Sequence, residues 1–351
     1  MDINDQDTYE IPPIHYAIET RDIETLKVLI SKGADVNTRD IDNDVPLYKA
    51  MNITDNQIHN EIVDILLRNG ADLNITNNYH FTPLHEAVFT SHWLTVKKLI
   101  YHGANINAKD ETGKTPLHYS RNKQITKLLI QHGADMNLQD VYGYSPMYSM
   151  FNSPESINVL LDNGANANIL NDVNNTPLEY IINLQSNFGL NIDIAKRCCN
   201  NITSNVLLNS FINDNIKKSV GHNKNINIIN KTEFIKPFKE KCEKELEAIA
   251  STKIGDRYSL KHILVYNDID LFVNLRNRIS KLNISSKKFP IYGKLLKKKI
   301  DLINHRRKLI DKSMKILDNN LKHSYFSKLP IEIRYNILCK LSNDDLYIIL
   351  E

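Results

Sequence analysis

The stretch Thr82-Pro83-Leu84-His85-Glu86-Ala87 opens a helix. Threonine suits the N-cap because its hydroxyl accepts an N–H that has no partner inside the first turn. Proline at the next position has no N–H to leave unsatisfied and a φ already set for a helix. Leu84 and Ala87 then fall three apart, on one face. Related stretches recur along the chain. Pro13-Ile14-His15-Tyr16-Ala17 is a good copy, and Thr115-Pro116-Leu117-His118 is another, with Ser120 at the alanine position. Pro46-Leu47-Tyr48 and Ser145-Pro146-Met147-Tyr148 have drifted further, and Thr176-Pro177-Leu178 opens a sixth, incomplete copy.

Ahead of these prolines stands a second landmark. Gly-Ala-[Asp/Asn] occurs at Gly33, Gly70, Gly103, Gly133 and Gly164, and a proline follows each 13 positions later, at Pro46, Pro83, Pro116, Pro146 and Pro177. The distance from proline to the next glycine is not constant. It is 20 from Pro13, 24 from Pro46, 20 from Pro83, 17 from Pro116 and 18 from Pro146. Within that stretch lies a second run of helical apolar spacing, as in Ile62, Val63, Leu66 and Leu67, or Val96, Leu99 and Ile100. Glycine then ends the second helix in the left-handed conformation. A constant connector predicts a specific turn structure, and a varying interval predicts that length changes fall within or between the two helices.

A turn, a T-P-L-H-x-A helix start and two helices at a period near 33 resemble the ankyrin repeat. Thr82–Ala87 matches that pattern fully. The resemblance covers residues 8–185 as about five repeats plus the start of a sixth, and it implies an all-α solenoid. After Gln185 the pattern fades into Asn-rich, partly apolar helices. Gly221-His222-Asn223-Lys224-Asn225 echoes the Gly-Ala-Asp-x-Asn connector, so residues 186–250 read as a degenerate repeat or helical connector.

Charge divides the chain of 351 residues. Residues 1–250 hold 23 Lys+Arg against 31 Asp+Glu, and residues 251–351 hold 21 against 10. Opposite signs suggest two modules with different partners. The four cysteines, Cys198, Cys199, Cys242 and Cys339, form no C-x-x-C pair and read as reduced thiols of a cytosolic or nuclear protein. Met1–Glu10 is acidic and polar, unlike a signal peptide, and no apolar run approaches the roughly 20 residues that span a bilayer. His15, His85 and His118 recur once per repeat. Spacing of about 10 Å between repeats is too wide for a shared metal shell, so hydrogen bonding within the repeat is their expected role. No phosphate loop, paired Cys/His cluster or nucleophile elbow occurs, so no catalytic residue, metal or cofactor is expected. Exposed aromatics at connector tips, Tyr79 and Tyr142, and Trp93 between helices are candidate target-binding residues.

Residues 251–351 read as a basic helical domain. Lys297–Lys299 and Arg306–Lys308 alternate with Leu295, Leu296, Ile300 and Ile303, and a solvated or partner-facing helix face is a stronger reading of them than nucleic-acid binding. The chain then carries Leu329-Pro330-Ile331-Glu332-Ile333-Arg334-Tyr335-Asn336-Ile337-Leu338-Cys339-Lys340-Leu341-Ser342-Asn343-Asp344-Asp345-Leu346. Pro330 suits a helix start, Ile333, Ile337, Leu338 and Leu341 are expected on one face, and Ser342 or Asn343 is expected to cap a second short helix. This pattern resembles the start of an F-box, truncated at residues 329–351. Ankyrin repeats followed by such a segment resemble the poxvirus ankyrin family with a C-terminal PRANC domain. The resemblance implies a host-cell cytoplasmic adaptor, with the nucleus as a second compartment. Its repeats would capture a host protein. Leu329, Pro330, Glu332, Ile333, Ile337, Leu338, Leu341 and Leu346 would dock on a Skp-type adaptor of a cullin ubiquitin ligase. The alternative is a stoichiometric inhibitor that masks a host factor, with the C-terminal helices acting only as a cap.

Overall fold

The computed structural model describes residues 11–254, 259–265, 284, 288–320, 329 and 331–350. Among the described residues all regular structure is helical, apart from one isolated bridge between Lys253 and Ser259. None of the described helices is long and apolar enough to cross a membrane. The chain divides into two compact units, Met1–Val206 with Lys218–Ile235, and Leu207–Lys217 with Lys236–Glu351.

Helices of the first unit come in pairs: α1 (Pro13–Glu19) with α2 (Ile23–Ser31), α3 (Pro46–Ala50) with α4 (Asn56–Arg68), and α5 (Pro83–Phe89) with α6 (Trp93–Tyr101). Then follow α7 (Pro116–Tyr119) with α8 (Lys123–Gln131), α9 (Pro146–Ser149) with α10 (Pro154–Asp162), and α11 (Pro177–Phe188) with α12 (Ile192–Ile212). Each first helix begins at its proline. At Thr82 the hydroxyl accepts from the His85 N–H, while His85 Nδ1 accepts from the Thr82 N–H at 3.2 Å. Histidine thus closes the reciprocal cap that a glutamate often closes. The residue after each proline in repeats two to six (Leu47, Leu84, Leu117, Met147, Leu178) is completely buried, which contributes roughly 1.5–3 kcal/mol apiece.

The uneven intervals are absorbed where packing allows. Repeat two's extra length extends α4 to 13 residues, against 9 in α2 and α6. The short fourth and fifth copies lose it from the first helix, which shrinks to 4 residues in α7 and α9. Ser120 terminates α7 in an extended conformation, and its buried hydroxyl meets Thr126 Oγ1 at 2.8 Å. A serine at the alanine position therefore marks a helix end. The sixth pair is whole: Cys198, Cys199 and Ile202 of α12 are buried in the same core as the earlier repeats, and Asn201 Nδ2 donates to Pro154 O at 2.9 Å.

The segment that echoes a connector is instead a helix, α13 (Val220–Lys231). It covers the last connector of the first unit. A Cβ on Gly221 would lie 1.9 Å from the carbonyl oxygen of Asn168, so only glycine fits. Asn225, fully buried, donates to Ala167 O and Asn168 Oδ1, both at 3.0 Å, and accepts from Thr176 Oγ1 at 2.6 Å. Glycine and asparagine recur here because they touch the connector, which produces the echo without the turn.

The second unit contains α14 (Lys236–Ser251), α15 (Leu260–Val265), α16 (Gly293–Asn320), α17 (Ile331–Cys339) and α18 (Asn343–Leu350). Buried Glu245 of α14 accepts the N–H groups of Ile291 and Tyr292, the latter at 2.6 Å, at the start of α16. A carboxylate there meets the positive end of the helix dipole. At the other end of α16, Leu309, Ile310 and Met314 pack with Tyr335, Leu338, Cys339 and Leu346. Ser342 and Asp345 cap α18 reciprocally, at 2.8 and 3.0 Å.

Candidate protein-interaction surfaces

The 13-residue connector is held by side chains at fixed offsets. Gly33, Gly70, Gly103, Gly133 and Gly164 all have φ between 84° and 93°, where a Cβ is strained. Four positions on, Asn37, Asn74, Asn107 and Asn137 each accept the backbone N–H two residues past the next glycine (Asp72, Asn105, Asp135 and Asn166) at 2.7–2.9 Å. These asparagines zip one connector to the next, and Asn168 ends the series on Asn225. Seven positions on stand Asp40, Asn77, Asp110, Asp140 and Asn171, whose side-chain oxygens accept N–H groups across the tip, as Asp140 does from Tyr142 and Tyr144 at 2.9 Å. Ten positions on, Asn43, His80, Gly113, Gly143 and Asn174 all have positive φ. Each of these offsets is a backbone requirement, which is why the length does not vary.

Histidine joins successive repeats. Nε2 of His15, His85 and His118 lies 3.0–3.1 Å from the carbonyls of Asp44, Lys114 and Tyr144, each 11 positions after a connector glycine. Carbonyls only accept, so Nε2 carries the proton. Burial pushes His85 down to about 4 and lowers His15 and His118 as well. In the fifth repeat Tyr148 takes this place, donating to Asn175 O at the matching offset.

The eighth and ninth positions after each glycine lie outside this set. They form the tips, and neighbouring tips bond through backbone, as Val141 N–H does to Thr112 O at 2.9 Å. Tyr79 and Tyr142 occupy the ninth position and are 68% and 58% exposed. Ile41, Val141 and Val173 occupy equivalent tip positions and are equally open. Reading by residue type selected the tyrosines and passed over the aliphatic members; counting from each glycine would have found the whole row. Trp93 is elsewhere, exposed at the start of α6.

The carboxylates of Asp40, Asp42 and Asp44 converge on one repeat, and the Lys49 ammonium sits among them, 2.8 Å from Asp40. All four cysteines are buried and none is in a disulfide, and burial pushes Cys198 up to about 12, which leaves its sulfur unreactive as a nucleophile.

In the second unit the F-box-like residues separate. Leu338 and Leu346 are 1% and 0% exposed within their own core, and Leu341 packs against it half-buried. Leu329 is half-buried, whereas Ile337, Tyr347 and Ile348 are exposed. Ile337 and Leu338 are therefore not on one face. With Tyr335, Leu338 and Cys339 turned to α16, the neighbouring Ile337 is rotated outward. Pro330 lies outside the described residues, as do the side chains of Glu332 and Ile333.

The two basic clusters are likewise divided. Arg306 is buried, donating to Asn343 Oδ1 at 2.8 Å, to Cys339 O at 3.2 Å and to Leu341 O, so it holds the end of α17 and the start of α18. Lys299 donates to Leu264 O at 2.9 Å, and burial lowers its pKa. Arg307 pairs with Asp311 at 3.5 Å. Lys297 and Lys298 remain exposed, with Lys294 and His305, around a surface groove of about 510 Å³.

A stack of helix pairs joined by hydrogen-bonded connectors, followed by a basic helical unit, defines a protein-interaction scaffold. Residues 14–110, 47–140 and 91–171 match ankyrin repeats in three overlapping copies, and residues 255–351 match the PRANC domain. The chain is similar to ankyrin repeat proteins of fowlpox virus (strain NVSL). It is 29% identical to FPV232 over 340 residues, covering 93% of this chain and 68% of the relative. It is 28% identical to FPV031 over 343 residues, covering 93% and 88%, and 26% identical to FPV219 over 343 residues, covering 95% and 68%. The chain belongs to the poxvirus ankyrin-repeat family with a C-terminal PRANC domain. Both parts are protein-interaction modules, and the PRANC domain is F-box-like.

Proposed function

We propose that the chain bridges a host protein to a cullin-type ubiquitin ligase in the host cytoplasm. The observation that carries this reading is the pairing of two interaction modules on one chain, repeats with an open row of tips and an F-box-like C-terminal domain. The tip row and Trp93 capture the target, and the F-box-like segment docks a Skp-type adaptor through Leu329, just ahead of α17, and Ile337 on it. The mechanism is proximity: a held substrate lysine meets the charged conjugating enzyme at raised effective concentration. The chain itself performs no bond-making step in this reading.

Affinity purification with mass spectrometry tests the capturing arm. Alanine at Tyr79, Trp93 and Tyr142, one at a time, should reduce recovery of a specific host protein in at least one case with the helical circular dichroism unchanged. Normal recovery with all three would move the surface elsewhere.

One observation favours a second reading, the masking inhibitor. Leu338 and Leu346 are already consumed by their own unit, so part of the F-box-like pattern serves packing. In that case the host protein is recovered without adaptor or cullin.

A further inference from the structure

The second helices of the repeats differ in charge. Those of repeats one, two and five carry Glu24, Glu61, Asp64, Glu155 and Asp162, whereas α6 and α8 carry Lys97, Lys98, Lys123 and Lys127 and no acidic residue. Lys98 is neutralised by Asp64 at 2.6 Å. Lys97, Lys123 and Lys127 have no ion pair among the described residues. A local basic face thus stands on the more acidic half of the chain.

That face is grooved and aromatic. Trp93, Lys97 and Tyr101 succeed one another at four-residue steps along α6, and the Lys97 ammonium lies 5.5 Å from the Trp93 ring centre and 5.8 Å from that of Tyr101. Tyr101 meets His132 edge-on at 5.3 Å. Between the two helices is a surface groove of about 480 Å³, lined by Trp93, Gln124, Lys127, Leu128 and Gln131. Trp93 and Tyr101 are 42% and 65% exposed. Large aromatic rings left open beside an aliphatic side chain and flanked by unpaired cations match one chemistry, an apolar anchor carried between carboxylates.

We propose that the α6–α8 groove binds an acidic peptide segment of the captured partner. A leucine-sized anchor sits between Trp93 and Leu128, carboxylates lie at Lys97 and Lys127, and Gln124 and Gln131 meet the peptide backbone. The inference rests on the repeats being the capturing arm and is independent of adaptor docking. It adds a recognition surface distinct from the connector tips, on the opposite class of element.

Trp93 is the sole tryptophan of the chain, so its fluorescence reports the groove directly. The full chain is titrated with four probes: a synthetic Asp/Glu peptide with one central leucine, the same peptide with alanine in place of leucine, the same peptide with lysines in place of the acids, and a short oligothymidylate. The acidic leucine peptide should shift Trp93 emission saturably. Its affinity should fall about tenfold in Lys97→Glu/Lys127→Glu, and again on raising salt from about 50 mM to about 500 mM. The alanine peptide should bind more weakly and the lysine peptide should not bind. Circular dichroism confirms that the double variant keeps its helices. The proposal is overturned if the acidic peptide gives no saturable shift up to about 1 mM, if the alanine or lysine peptide binds equally well, or if the oligothymidylate alone moves the emission. No host protein or ligase enters this titration, so its failure leaves the bridging test intact.

Discussion

In the repeats, backbone groups between helices are satisfied by short polar or aromatic side chains that recur at fixed offsets: asparagine at four, aspartate or asparagine at seven, histidine or tyrosine across to the next repeat. In the C-terminal unit the same task falls to single charged residues. Glu245 holds the start of α16, and Arg306 holds the junction of α17 and α18. The repeats share the load over several similar joints, so each joint tolerates drift, as the tyrosine at Tyr148 shows. Among the described residues the C-terminal unit has one joint of each kind. A repeat array is approximately a sum of nearest-neighbour terms, whereas a charged keystone affects every group that it holds.

The largest expected effect lies in the array's core. Leu84 is completely buried, and Leu84→Ala should cost about 2–5 kcal/mol in denaturant unfolding. Loss confined to the neighbouring repeats, seen as hydrogen exchange rising there first, would support nearest-neighbour coupling. Uniform loss across both units would break the contrast.

Next comes the keystone. Arg306→Met keeps the apolar stem and removes the donors to Asn343, Cys339 and Leu341. It should cost about 1.5–3 kcal/mol, with exchange rising in α17 and α18 and the repeats unaffected. Arg306→Lys should rescue little, because an ammonium lacks the planar fork that reaches all three. Full rescue would show that charge alone matters there.

A third test uses pH. His85 has a folded pKa of about 4 against an ordinary value of 6.5. As pH falls below 6.5 the unfolded chain takes up the proton first, so stability present above that value is lost progressively down to about 4. Between pH 7.5 and 5 this histidine should account for a loss of about 2 kcal/mol. His15 and His118 act in the same direction. His85→Gln should flatten the profile, and an unchanged slope would contradict the lowering of this histidine's pKa by burial.

The smallest stability effect belongs to the tips. Tyr79→Ala and Tyr142→Ala should move the unfolding free energy by less than about 0.5 kcal/mol. A larger loss would mean that the tip rings support the array rather than face a partner.

These contrasts also explain what the amino-acid sequence discloses. The helix starts and the connector glycines are visible because each is a local rule repeated in register, and repetition separates signal from chance; the histidines were expected to bond within the repeat, whereas Nε2 reaches the next one. The fully matching Thr82–Ala87 and the drifted Ser145–Tyr148 both start a helix at their proline because the offsets, not the residue names, are kept. Arg306 and Asn225 were not visible as keystone and cap. Their partners lie 33 to 37 and 49 to 58 residues away, and nothing local distinguishes Arg306 from exposed Lys308. The F-box-like pattern was legible as two amphipathic helices, but which apolar side chains turn inward depends on α16. That is why Leu338 and Ile337, adjacent in sequence, end in opposite environments.

The bridging account is tested most directly at Ile337. Deleting residues 329–351 would uncover Leu309, Ile310 and Met314 and confuse docking with unfolding, whereas Ile337 is 41% exposed. The intact chain and Ile337→Asp are compared for recovery of a Skp-type adaptor and cullin from host cells, with circular dichroism as the folding control. The account predicts that the intact chain brings down both, and that Ile337→Asp loses them while still recovering the host target. An intact chain that recovers the target but never the adaptor would contradict it.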